Sequence, residues 1–262
     1  YVTAFTLIML PQGIFGMAVS QAVFPSLAAF VAGREWDRTR QVVMQTIRGI
    51  TYLAVPSALG LLLLAQPISS LILAHGNFDP TQLPLIVNPL IFFTIGLTGL
   101  SLVEILTRAF YAVQNTRTPT QVSILQFMFN IGLSIVLLQP MGASGLALAS
   151  SLAWTGEALV LLVLLSRRLG GLNLRSLGGF FVNVLAASVA ATLAARLVYM
   201  LMTVALPIGP TSTTETLHMA VRLLAAIATA CVLYFIASKF LGIDDAMPIE
   251  RLTRRILGRS VR

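Results

Sequence analysis

LPLIVNPLIFFTIGLTGLSLVEILTRAFYAV, running from Leu83 to Val113, decides the class of this chain. It exceeds the roughly 20 mainly apolar residues that a helix needs to cross the hydrocarbon layer of a bilayer. Only Glu104 and Arg108 within it are charged. Working outward, six more stretches read the same way. Two precede it: about Tyr1 to Val31, interrupted by Pro11 and Gly13, and about Gln41 to Ala65, with Pro56 inside. Four follow: Pro119 to Leu138, Gly142 to Leu165, Gly179 to Leu206 and Leu217 to Leu241. The expected fold is therefore all-α, a polytopic membrane bundle of about seven transmembrane helices.

Composition agrees. The 262 residues are 57% hydrophobic and 10% charged, where a soluble globular chain carries about 25% charged residues. Such a chain lacks the polar surface to cover itself in water. The net charge of +8 would suggest nucleic acid in a soluble protein, but here the basic residues border the apolar spans and lack interleaved aromatics. Nucleic-acid binding is not expected. Nucleotide-binding glycine loops, metal-ligand clusters and nucleophile–base pairs are not seen, so neither an enzyme nor a cofactor is expected, and no residue reads as catalytic. His75 and His218 have no carboxylate or Cys companions, and the single Cys231 lies in an apolar run. Tyr1 opens inside an apolar stretch without an initiator Met, which reads as a fragment with its upstream part missing.

Loop charge gives the expected orientation. Arg34, Arg38, Arg40 and Arg48 follow span one, Arg108 and Arg117 lie at the end of span three, and Arg167, Arg168 and Arg175 follow span five. Lys239, Arg251, Arg254, Arg255, Arg259 and Arg262 follow span seven, while the alternate connections carry no Lys or Arg. Basic loops face the cytoplasm, so the C-terminus is expected there and Tyr1 on the outer side. Asp79-Pro80 and Thr118-Pro119 each place a capping side chain before a proline suited to a first helical turn. Gly33, Gly170 and Gly171 follow helix ends, where a left-handed residue is often needed. The small residues Gly142, Ser144, Gly145, Ala147, Ala149 and Ser150 suit a close helix interface.

Charge inside the membrane costs at least about 2.5–3.5 kcal/mol at a helix centre, so each instance is a candidate functional residue. Glu104 and Arg108, four apart on one helical face, read either as an internal ion pair or as the lining of a polar cavity that offers Arg108 to an anion. Glu157, without a basic residue within a turn, reads either as a coupling carboxylate or as the acceptor of a hydrogen bond from a Ser or Thr next door. Arg222 can snorkel to outer headgroups; Arg196, near the middle of its span, reads as harder to explain that way and could meet a lipid phosphate in a groove. Pro11, Gly13 and Pro56 are hinge candidates, with a static kink as the plainer reading. Gln126 and Asn130 read as interhelical hydrogen bonders.

Four segments resemble one family. Gly96 to Ala112 followed by Gln114-Asn115-Thr116-Arg117-Thr118-Pro119 is similar to the MurJ/MviN segment ending RAFYA…DTRTP, with Asn115 in place of the usual Asp. Leu10-Pro11-Gln12-Gly13-Ile14-Phe15 leading to Val23-Phe24-Pro25 resembles LP.G.F…FP, Pro67 to Asp79 resembles a short outer segment, and Gly145 to Ala153 resembles GLALATSLA. The resemblance covers about residues 1–170. It implies the C-terminal half of a 14-helix protein of the multidrug/oligosaccharidyl-lipid/polysaccharide superfamily, with two six-helix lobes around a cationic cavity and two extra helices shaping a lipid-tail groove. On that mapping, 1–170 is a five-helix lobe bundle, 171–241 the two groove helices and 242–262 a basic cytoplasmic tail. The implied activity is flipping of lipid II, a polyprenyl-diphosphate-linked peptidoglycan precursor, by alternating access in the bacterial inner membrane. Implied partners are that lipid-linked glycan precursor, membrane lipids, a missing N-terminal lobe and cell-wall synthesis enzymes. The alternatives are an exporter of another lipid-linked polysaccharide, a drug/cation antiporter, or a non-transporting lipid-binding scaffold. One departure stands out: Phe5 and Thr6 occupy the positions where the family commonly carries a cavity arginine.

Overall fold

The computed structural model describes residues 1–73, 83–205 and 212–243, and side chains within these except at 212–215. Among the described residues, seven helices are long and apolar enough to cross a membrane, in the order expected, each within a few residues of its expected bounds. The first crosses as α1 (Val2–Gln12), a π-helical turn (Gly13–Ala18) and α2 (Val19–Ala32). Pro11 has no N–H to offer the ladder, and the chain widens to π geometry just beyond it. There Gly16 admits a neighbour closely: a Cβ would meet Ser101 Cα at 3.0 Å. The bundle continues with α3 (Trp36–Leu63), α4 (Ala65–Leu73), α5 (Leu83–Ala112), α6 (Arg117–Met141), α7 (Ala143–Arg168), α8 (Leu174–Ala205) and α9 (Ser212–Phe240). Pro56 lies within an otherwise continuous α3.

Helix α5 is the central post. Against α7 it approaches so closely that a Cβ on Gly96 would stand 2.5 Å from Ser151 Cα, and one on Gly99 2.8 Å from Thr155 Cα. Lipid tails are as apolar as Leu, so membrane helices gain by this kind of close backbone packing. The Ser151 hydroxyl donates to Phe92 O at 2.7 Å across the same contact. The main core joins α2, α3, α5 and α7 through Leu27, Val43, Ile50, Ile105, Phe110 and Leu161. A second joins α3, α8 and α9 around Tyr52, Val184 and Tyr234. Helix α6 stands outside: only Pro119 and Val122 are buried on it, while Ile124, Leu125, Phe127 and Met128 are exposed.

Several helix ends depart from expectation. Gly33 keeps a right-handed φ of −75°, and Arg34 takes the left-handed turn at φ 58° instead. Gly170 and Gly171 do take positive φ, 77° and 107°. Thr118 is not the cap of α6. The helix starts at Arg117, and Asn115 reaches into the first turn, its Oδ1 accepting from Thr118 N at 3.2 Å and its Nδ2 donating to Thr118 Oγ1 at 2.8 Å. An Asn side chain does this readily because it pairs with backbone two or three residues on. Helix α4, which follows a break at Leu64, had no counterpart in the sequence reading. The Asp79-Pro80 cap, His75 and the tail from 244 onward lie outside the described residues.

Candidate functional site

A cleft of about 760 Å³ opens among α3, α5, α7 and α8. Apolar residues such as Leu59, Leu162 and Phe181 line it, with Thr51, Thr94, Thr98 and Thr155 as the main hydroxyl bearers. Thr94 donates its hydroxyl to Ile91 O at 2.7 Å, and Thr155 to Ser151 O at 2.8 Å. With those two hydroxyls turned back on their own helices, the wall presents methyl groups and suits a hydrocarbon chain. Gly178 lines it too, with open space where a Cβ would project. Helix α8 supplies one wall, whereas α9 contributes no lining residue among those described and packs against α8.

The candidate charged residues lie elsewhere and apart. Arg108 Nη2 stands 3.6 Å from Glu104 Oε2, each side chain about a quarter exposed, so the i,i+4 pair expected on α5 is present. Glu157 on α7 is buried and accepts the Ser123 hydroxyl of α6 at 2.6 Å. Arg196 of α8 directs Nη1 at Leu63 O, 3.4 Å away. That carbonyl is the last of α3, at the end of a helix where carbonyls commonly lack an intrahelical donor. Arg222 on α9 is buried. Asn130 donates to Ser150 Oγ at 3.2 Å, the interhelical bond expected of it.

Where the arginine of the resemblance is absent, aromatic rings gather. Phe5 lies 5.6 Å from Phe93 and 6.2 Å from Trp154, and Phe93 stacks on Trp154 at 5.9 Å. Thr6 turns its hydroxyl back to Val2 O at 3.1 Å. The resemblance implied a groove shaped by the last two helices, whereas the walls of this cleft come from four helices distant in sequence, α8 alone of that pair among them. Ser123 gives Glu157 the hydroxyl partner that one of its two readings expected, although the sequence does not say which Ser or Thr supplies it.

Seven membrane-length helices among the described residues, four of them around an apolar cleft, define a polytopic membrane protein. Comparison with known proteins then supplies the family. The model described as "Lipid II flippase MurJ" matches residues 1–219, and the chain belongs to that family. Among similar proteins, "Probable lipid II flippase MurJ" of Haemophilus influenzae is 34% identical over 194 residues, 70% of this chain and 37% of the relative. Its namesake in Rhizobium meliloti is 27% identical over 247 residues, 94% of this chain and 45% of the relative. A solved structure titled "Lipid II flippase MurJ, inward closed conformation" has the same fold, with a TM-score of 0.69 at 23% identity, covering 91% of this chain and 46% of that one. The chain thus spans less than half the length of these relatives.

Proposed function

We propose that this chain forms the C-terminal lobe of a flippase that moves lipid II across the bacterial cytoplasmic membrane by alternating access, without covalent chemistry. The observation that carries this reading is the apolar cleft within a chain of the lipid II flippase family. A polyprenyl tail is too long and too apolar to enter a polar cavity with its headgroup, so a carrier needs a separate hydrocarbon-lined path. The wall of Leu59, Leu162 and Phe181, with methyls from Thr94 and Thr155, suits such a tail. Residues 1–170 would form the lobe bundle, 171–241 the helix pair of which α8 closes the cleft, and 242–262 a basic tail at the cytoplasmic face, where loop charge also puts Arg34, Arg117 and Arg167.

Among the charged candidates, Arg108 is the one best suited to a diphosphate. Its guanidinium is partly exposed and its contact with Glu104 is long, so an anion could draw it away at little cost. Glu157 and Arg196 instead fit internal ties. The remainder of the protein would contribute the opposing lobe, and cell-wall synthesis enzymes are the partners to look for at its faces.

The test is growth of a bacterium depleted of its own lipid II flippase and supplied with the full-length protein that contains this chain. Rescue is expected. Gly178→Phe, which fills the cleft from a position with open space, should abolish rescue at normal membrane levels, and Arg108→Ala should weaken it. Failure of a well-expressed parent to rescue would reject lipid II as the substrate. Full rescue by Gly178→Phe would reject the cleft as the tail path.

A further inference from the structure

Pro56 lacks an amide hydrogen, so within α3 the carbonyl four residues earlier, that of Tyr52, loses its helical donor. A buried carbonyl left without a partner is costly, and more so in a membrane where no water can reach it. The hydroxyl of Tyr234, on α9, donates to Tyr52 O at 2.7 Å. Both tyrosines are buried, and their rings lie 4.9 Å apart. A side chain 182 positions away in the sequence thereby replaces the hydrogen that the proline removed.

The far end of the same segment is tied as well. Arg196 of α8 donates to Leu63 O, the last carbonyl of α3. Between the two ties lie Ala58, Leu59 and Leu62, which line the cleft. We infer that Tyr234 is a positioning residue: by standing in for the missing Pro56 amide, it fixes the cleft-lining end of α3 to the C-terminal helix pair, so that movement of α8 and α9 reshapes the cleft. Its functional consequence rests on the flippase reading above; the structural tie does not.

Two readouts on the full-length protein separate these. The first is a double-mutant cycle of Tyr234→Phe and Pro56→Ala, followed by thermal unfolding in detergent. Tyr234→Phe removes only the hydroxyl and should lower the midpoint by about 2–4 °C. Pro56→Ala restores the helical donor to Tyr52 O, so in that background Tyr234→Phe should cost less than half as much. Equal shifts in the two backgrounds would overturn the tie, because independent residues add. The second readout is rescue of the flippase-depleted bacterium. Tyr234→Phe should slow growth relative to the parent, and the slowing it adds should shrink in the Pro56→Ala background. Growth equal to the parent's with Tyr234→Phe, where the parent itself rescues, would overturn the positioning role. If the parent fails to rescue, the unfolding cycle still decides the tie.

Discussion

Ser123 and Glu157 make one short bond between α6 and α7, and the two partners are not equivalent. A buried carboxyl that loses its donor keeps its full desolvation cost, whereas an amide in the same place can find another arrangement. Ser123→Ala should therefore destabilise the protein by about 1–3 kcal/mol, measured by chemical unfolding in detergent. Glu157→Gln should cost less than that and preserve rescue, since an amide oxygen accepts the same hydrogen. Loss of rescue with Glu157→Gln at normal stability would instead assign the carboxylate a charge-dependent role. At this scale the sequence showed which residues were costly, and the kind of partner more readily than its identity. Glu104 and Arg108 could be paired from their spacing, because a helix sets neighbours four residues apart. Glu157 could not, because its donor lies 34 positions away and any of several hydroxyls would have served. The same holds for Arg196, whose acceptor is a backbone atom that leaves no trace in the sequence.

Among elements, the contact of α5 with α7 depends on two hydrogens. Gly96→Ala puts a methyl 2.5 Å from Ser151 Cα and Gly99→Ala one 2.8 Å from Thr155 Cα. Backbone cannot retreat as a flexible side chain can, so each should cost about 1–3 kcal/mol, seen as a lower unfolding midpoint. Gly132→Ala on α6 meets nothing within 4 Å and should leave the midpoint unchanged or raise it, since Ala gives up less freedom than Gly in a helix. Helix positions were legible throughout because membrane spans are set by length and apolarity, which are local. Helix α4 was not, because its nine residues are too few to stand out from the apolar run before them. The cap of α6 was misread for a related reason: Thr118 and Asn115 are both capping types, and only the geometry shows that Asn115 reaches inward.

For the whole molecule, the alternation of basic and uncharged connections predicts where each loop lies. With Cys231 replaced by Ser, a cysteine at Arg34 should react with a membrane-impermeant thiol reagent only after the inner side is opened, and one at Met141 should react in intact cells or spheroplasts. The reverse pattern would invert the orientation. One connection constrains the molecule more than the rest. Helices α6 and α7 are separated by Gly142 alone, at φ 57° and ψ −134°, and Gly145 sits so near the Leu137 carbonyl that any side chain there would collide. A single residue leaves no slack between them. Neither helix can tilt or slide in the bilayer without carrying the other, so the pair behaves as one folded-back object. With most of α6 facing outward from the bundle, α7 is its main anchor, so a load on one leg of this hairpin is borne by the other.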